Sequence, residues 1–197
     1  MNESGNDRRT FLYSVLGVGA LGGAALTAPG TLQAALASSA AGSGAEARLR
    51  ELGIRLPPVD GMQQSSLVPA VEVGNLLFVS GHGPRGENGQ FITGKVGADL
   101  SVEQGTEAAR AAALTLLAAV RNQLGSLDRI TRVVKALGMV NATPDFTQQP
   151  RVVNGFSNTL IELWGDRGRG ARSAIGVASL PNNWAVEVEA IFEITPA

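Results

Sequence analysis

The sequence predicts an α+β domain built as one sheet with two helices on one face, and three observations carry that prediction. Two segments, one opening at residue 101 and one running from about 150 to 164, place apolar residues at helical period. Short runs rich in valine and isoleucine, bounded by glycine, proline and asparagine, flank both helical segments. The last of these runs, "AVEVEAIFEI", alternates strictly: Val186, Val188, Ala190, Phe192 and Ile194 fall on one face, Glu187, Glu189 and Glu193 on the other. A chain of 197 residues, 44% hydrophobic, is long enough for one such domain with an appendage.

The elements follow in order. "LVPAVEVGNLLFVSG" holds two apolar runs split by the turn signal Gly74-Asn75. "GENGQFITGKVG" reads as a hairpin loop with a third short strand. Asp99 and Ser101 open the first helix, where Ser101 and Gln104 have the spacing of a capping box. Its apolar stripe is Ala109, Ala113, Leu116, Leu117, Val120 and Leu124, and Gly125 ends it. "DRITRVVKALGMVNA" is a strand and "TPDFTQQP" a loop. The second helix shows Val153, Phe156, Leu160, Leu163 and Trp164 and stops at Gly165. "RSAIGVASL" is a strand, Pro181-Asn182-Asn183 a turn, and the alternating strand closes the chain. The predicted order is β-β-β-α-β-α-β-β, with about six strands.

The N-terminal forty residues read as an address. Arg8 and Arg9 precede Phe11 and Leu12, an apolar run rich in glycine and alanine occupies 11–28, and Ala35 and Ala37 take the positions of a small-residue cleavage site. The order is that of a secretory signal, and the arginine pair makes it similar to a twin-arginine signal. The expectation is an exported protein, periplasmic or secreted, cleaved near Ala37; the alternative is an uncleaved membrane anchor. Residues 1–37 are then the signal, 38–63 a spacer with one helical piece at Glu46–Leu52, and 64–197 the folded domain.

Composition excludes several chemistries. There is no cysteine and one histidine, His82, so neither a thiolate nucleophile nor a thiolate- or histidine-built metal site is expected. Sixteen basic against 17 acidic residues give no field for nucleic acid. Arg172 is the leading candidate: a guanidinium at a strand start presents a planar fork of donors to a carboxylate. If residues 172–180 and 185–194 pair as an antiparallel hairpin, Glu187 comes near it. The two would then form a plain ion pair, or take separate jobs, with Arg172 anchoring a carboxylate and Glu187 activating water. Asn154 lies in mid-helix, where its propensity cost invites a role, though a solvated side chain is the other reading. Ser80 either donates to a ligand or caps the strand end. His82 in "SGHGP" reads as a loop residue with a local hydrogen bond.

"VEVGNLLFVSGHGP", "ITRVVKALGMVNATPDF", "VVNGFSN", "RSAIGVASLP" and "VEVEAIFEI" together resemble the Rid family, the reactive intermediate deaminases, also called YjgF or L-PSP endoribonuclease-like. The resemblance spans about residues 64–195. It implies a chorismate-mutase-like fold and a homotrimer with ligand clefts between subunits. It implies further that Arg172 grips the carboxylate of a 2-imino acid and that Glu187, with the backbone carbonyl of Ala174, positions the water that releases ammonia, a reaction expected to need no cofactor because attack on a protonated imine is easy. Ser80, Gly81 and Asn154 take substrate-binding roles on the same ground. Partners are then other copies of the chain and a small carboxylate metabolite, not nucleic acid, with a membrane met only through the signal. The chain departs from deaminase members at Leu67, near the position of a lid tyrosine, and at Ala174, where cysteine is common. The alternative within the family is a trimeric metabolite-binding protein without turnover.

Overall fold

The structure is a computed structural model and describes residues 44–59, 66–86 and 88–196. The expected signal, 1–37, and both ends of the spacer, 38–43 and 60–63, lie outside the described residues. Within the remainder of that spacer the chain forms helix α1, Ala45–Glu51. It is tied to the turn at Leu127–Arg129 from both sides: the Glu46 N–H donates to Asp128 Oδ1 (3.0 Å), and Glu46 Oε1 accepts from the Leu127 N–H (3.1 Å). Ala45 and Leu49 are buried, so this helix belongs to the core.

The sheet has five strands: β1 Ala70–Val73, β2 Leu76–His82, β3 Ile130–Asn141, β4 Ala171–Val177 and β5 Val186–Ile194. Their order across the sheet is β1-β2-β5-β3-β4, and every pair is antiparallel except β3 with β4. Helices α2, Val102–Leu124, and α3, Gln149–Trp164, pack on one face. α2 starts as its sequence dictates. The Ser101 hydroxyl accepts from the Gln104 N–H (3.2 Å) and Gln104 Oε1 accepts from the Ser101 N–H (2.8 Å), satisfying two donors that the first turn would otherwise leave bare. Phe192, Val188, Leu77 and Val140 of the sheet bury against Leu116, Leu117, Phe156 and Leu160 of the helices. The opposite face is open and partly apolar, with Val71 49%, Phe78 42% and Ile175 44% exposed.

Two expectations are corrected. The third strand does not form. Among the described residues of 85–96 only isolated bridges form, Arg85 with Phe91, Thr93 with Trp184, and Val96 with Leu100 and Ala142. Gly94 (φ +122°) and Gly97 (φ +94°) adopt conformations that L-residues avoid and turn the chain out of any ladder. Between them Lys95 pins the loop, donating from Nζ to Asn141 Oδ1 (2.8 Å) and to the Ala178 carbonyl (2.7 Å). The hairpin of residues 172–180 with 185–194 is also absent. β3, α3 and β4 form a crossover unit, which makes β4 the parallel neighbour of β3. β5 pairs instead with the other edge of β3 and with β2.

Candidate functional site

The candidate residues fall into two groups. The first is built where β4 runs beside α3. Arg172 is in register with Ala136, whose side chain is buried against the helices, so its own side chain rises on that face. Nη1 donates to Asn154 Oδ1 (2.9 Å) and Ser157 Oγ (3.0 Å), and Nη2 to the Pro150 carbonyl (3.4 Å). These three bonds use three of the five donors of a guanidinium, and Nε is not among those used. All three acceptors are neutral. Among the described residues no carboxylate pairs with Arg172, which removes the plain ion pair from consideration. The group borders a cavity of about 280 Å³ that also touches Asn158, Ile161 and Arg169. Ala174, two residues on, packs on the core below it.

Asn154 is exposed, and its side-chain oxygen at the same time accepts from Arg172, so it is both solvated and in contact with the guanidinium. Ser157 was not singled out from the sequence. Its spacing of three from Asn154, which puts the two on one helix face, was the available signal.

The second group surrounds the end of β2. Glu187 alternates with buried Val186 and Val188 and so projects from the face away from the helices. Its carboxylate lies against the backbone of Gly81, where an added Cβ would stand 2.9 Å from Glu187 Cδ and closer still to Oε1. Only glycine leaves that notch free. Burial, and after it the Glu189 carboxylate, pushes Glu187 above the ordinary carboxylate range. Ser80 fastens the incoming chain: its hydroxyl donates to the Val68 carbonyl (2.8 Å) and its N–H to the Pro69 carbonyl (2.9 Å). His82 is buried. Its Nδ1 bonds the Ser80 carbonyl (2.7 Å), which requires the proton on Nδ1 and leaves the Nε2 lone pair free. Burial holds it below the usual histidine range, the Ser80 bond opposing. These residues line a cavity of about 420 Å³ shared with Leu67, Arg85, Phe91, Thr115 and Trp184. The last four were not flagged by the sequence.

One chain does not bring the two groups together. Glu187 is in register with Met139 and Arg172 with Ala136, and β3 lies between β4 and β5. The offset is ~10 Å along the strands and ~9.5 Å across them, and the two side chains leave opposite faces. Among the described residues no three His, Cys, Asp or Glu side chains gather as a metal site, and no helix is long and apolar enough to cross a membrane.

Comparison with known proteins agrees with this architecture. A curated relative, Protein TCP17 of Trypanosoma cruzi, is 44% identical over 149 residues, covering 75% of this chain and 92% of that protein. The solved structure of the Agrobacterium tumefaciens protein Atu1372 is 41% identical, with a TM-score of 0.71 over 81% of this chain and 99% of that one. A Shewanella oneidensis structure is 30% identical, with a TM-score of 0.72 over 77% and 99%. The family profile described as "YjgF/chorismate_mutase-like, putative endoribonuclease" matches residues 46–193, taking in α1 and all five strands. The chain belongs to the YjgF/chorismate mutase-like family, the Rid proteins.

Proposed function

We propose that the protein hydrolyses the C=N bond of a small carboxylate-bearing imine or enamine, converting a 2-imino acid to a 2-oxo acid and ammonia, in clefts formed between copies of the chain. The observation that carries this reading is Arg172: a cation oriented by neutral oxygens, with donors to spare and no carboxylate partner among the described residues. Such a group is pre-organised for a planar carboxylate. Because Arg172 and Glu187 leave opposite faces, a cleft that uses both must be completed by a neighbour. The open apolar face around Val71, Phe78 and Ile175 suits that contact, and we assign a homotrimer.

In this reading Arg172 of one subunit holds the carboxylate, and Ser80, Gly81 and Glu187 of the next face the imine carbon. Water adds to the protonated imine carbon while Glu187 takes its proton, giving a carbinolamine. Glu187 returns that proton to the amine nitrogen. The C–N bond breaks as the hydroxyl proton passes back to Glu187, and it leaves with the nitrogen as ammonium. A carboxyl held above its usual range is suited to taking and returning a proton near neutral pH. The Ala174 carbonyl is proposed to help orient the water. A cation and a placed water suffice because a protonated imine is already electrophilic.

Binding without turnover is the second reading, favoured by Leu67 lining the Glu187 cleft where an aromatic lid would be expected. The near-neutral charge argues against ribonuclease action. Arg172→Ala should weaken binding of 2-oxobutanoate, a product analogue, by about 30-fold or more, with Arg172→Lys rescuing in part. Glu187→Gln should keep that affinity and lose turnover of a 2-imino acid. Wild-type protein that binds but never turns over establishes the second reading, and unchanged affinity in Arg172→Ala removes both. Light scattering of a monomer at micromolar concentration removes the shared cleft. Export is proposed on the N-terminal pattern alone: Lys at both Arg8 and Arg9 should hold the protein in the cytoplasm.

A further inference from the structure

We propose that the Glu187 cleft contains a second acceptor-binding subsite, made by Arg85 and Trp184, so that the ligand carries another carboxylate besides the one on Arg172. This rests on the reading above for the first carboxylate but on different residues for the second. Arg85 enters from the loop after β2, and its side chain makes no hydrogen bond or ion pair with any described residue. Its Nε is buried without a partner, and so is the indole Nε1 of Trp184 in the same cleft. Two buried donors without acceptors at one place are uncommon in folded proteins, where such groups are nearly always satisfied.

Among the described residues no acceptor is bonded to either of them. The Thr115 hydroxyl already accepts the Arg85 backbone N–H (3.2 Å) and donates to the Ala111 carbonyl (2.9 Å). His82 keeps an Nε2 lone pair in the same cleft, but neither donor is hydrogen-bonded to it. Glu187 lines the same cleft but lies beyond ion-pair distance of Arg85, so the cation is not neutralised there.

The donors are also fixed in direction. The Arg85 guanidinium carbon stands 5.1 Å from the Phe91 ring centroid, and Phe91 stacks on Trp184 with centroids 4.8 Å apart. Trp184 is pressed against the Gly83 backbone, where a Cβ would stand 2.5 Å from its ring. A cation and an N–H held on one aromatic platform recognise an anionic oxygen acceptor. The ligand class is therefore a dicarboxylate, the 2-imino form of a dicarboxylic amino acid rather than of an aliphatic one.

Trp184 is itself the reporter, since the chain has two tryptophans and Trp164→Phe leaves one. In that background, fluorescence titration with 2-oxoglutarate and with 2-oxobutanoate should show the diacid binding tighter by about tenfold or more. Arg85→Gln should erase the preference and leave 2-oxobutanoate affinity unchanged. Trp184→Phe, read by calorimetry in the otherwise wild-type protein, keeps the stack, removes one donor and should narrow the preference. It serves alone if Arg85→Gln does not fold. If 2-oxobutanoate binds through Arg172 and 2-oxoglutarate binds no better, the subsite is wrong and the imine reading stands. A preference that survives both substitutions has the same meaning. If only 2-oxoglutarate binds, and through Arg85, the subsite stands and the role of Arg172 falls. Binding of neither acid overturns both.

Discussion

Gly81→Ala tests the notch that holds Glu187. The backbone there is not in the left-handed region, so alanine brings no φ strain. It brings a methyl 2.9 Å from Glu187 Cδ, where carbon atoms prefer about 3.5–4.0 Å, and nearer still to Oε1. The carboxylate must move by about an ångström or more. Glu187 is a flexible side chain at the edge of an open cleft, so it can turn to another staggered rotamer and regain water. The stability change should stay within about 1 kcal/mol of zero. A misplacement of that size at a reacting group costs on the order of 100-fold in rate. The assay is turnover of a freshly generated 2-imino acid, with thermal unfolding alongside. The reasoning is refuted by a variant that turns over like the wild type. It is equally refuted by one that loses several kcal/mol of stability, because the notch would then be a packing requirement.

Two titrations of opposite sign should appear in stability against pH. Glu187 is raised in the fold, so the native state binds its proton more tightly than the unfolded chain, and stability falls as pH rises from the ordinary glutamate value of 4.5 through the raised one. Glu187→Gln should therefore stabilise the protein at neutral pH, with the gain vanishing below pH 4.5 in urea titrations. His82 is lowered, so its contribution is intact above 6.5 and is lost as pH falls below that value; His82→Gln should flatten this limb. Ser101→Ala removes half of the capping box and should cost about 1 kcal/mol, or about 2–4 °C in Tm, by calorimetry.

Much of the fold was legible because local chemistry repeats it. The capping box at Ser101, the alternation of β5 and the turn at Gly74-Asn75 each state a geometry within a few residues. Strand order was not legible. Adjacency in sequence favours a β4–β5 hairpin, and nothing local says that the α3 crossover has already committed β4 to β3. The third strand fails because Gly94 and Gly97 bend the chain within the run that reads as a strand. Arg172 and Asn154 stood out, one for its place at a strand start and the other for its poor fit in mid-helix. Arg85 did not, because an arginine between proline and glycine looks solvated until Phe91 and Trp184 are seen beneath it. Helix α1 looked like part of a linker because only Ala45 and Leu49 of it are buried, and its tie to Asp128 spans 82 residues.

The position of β5 has a consequence for how the chain is made. The strand that comes after the other four in sequence, β5, is the middle strand of the sheet, hydrogen-bonded on both edges, to β2 and to β3. Until residue 194 has left the ribosome, the β1–β2 hairpin and the β3–α3–β4 unit have no shared strand to join them. Long-range pairing of this kind is slow because the intervening loops must close first. The nascent chain thus waits with two exposed sheet edges, each a template for another chain. A stop codon within residues 186–194 would leave that gap permanent, so truncations inside β5 should aggregate.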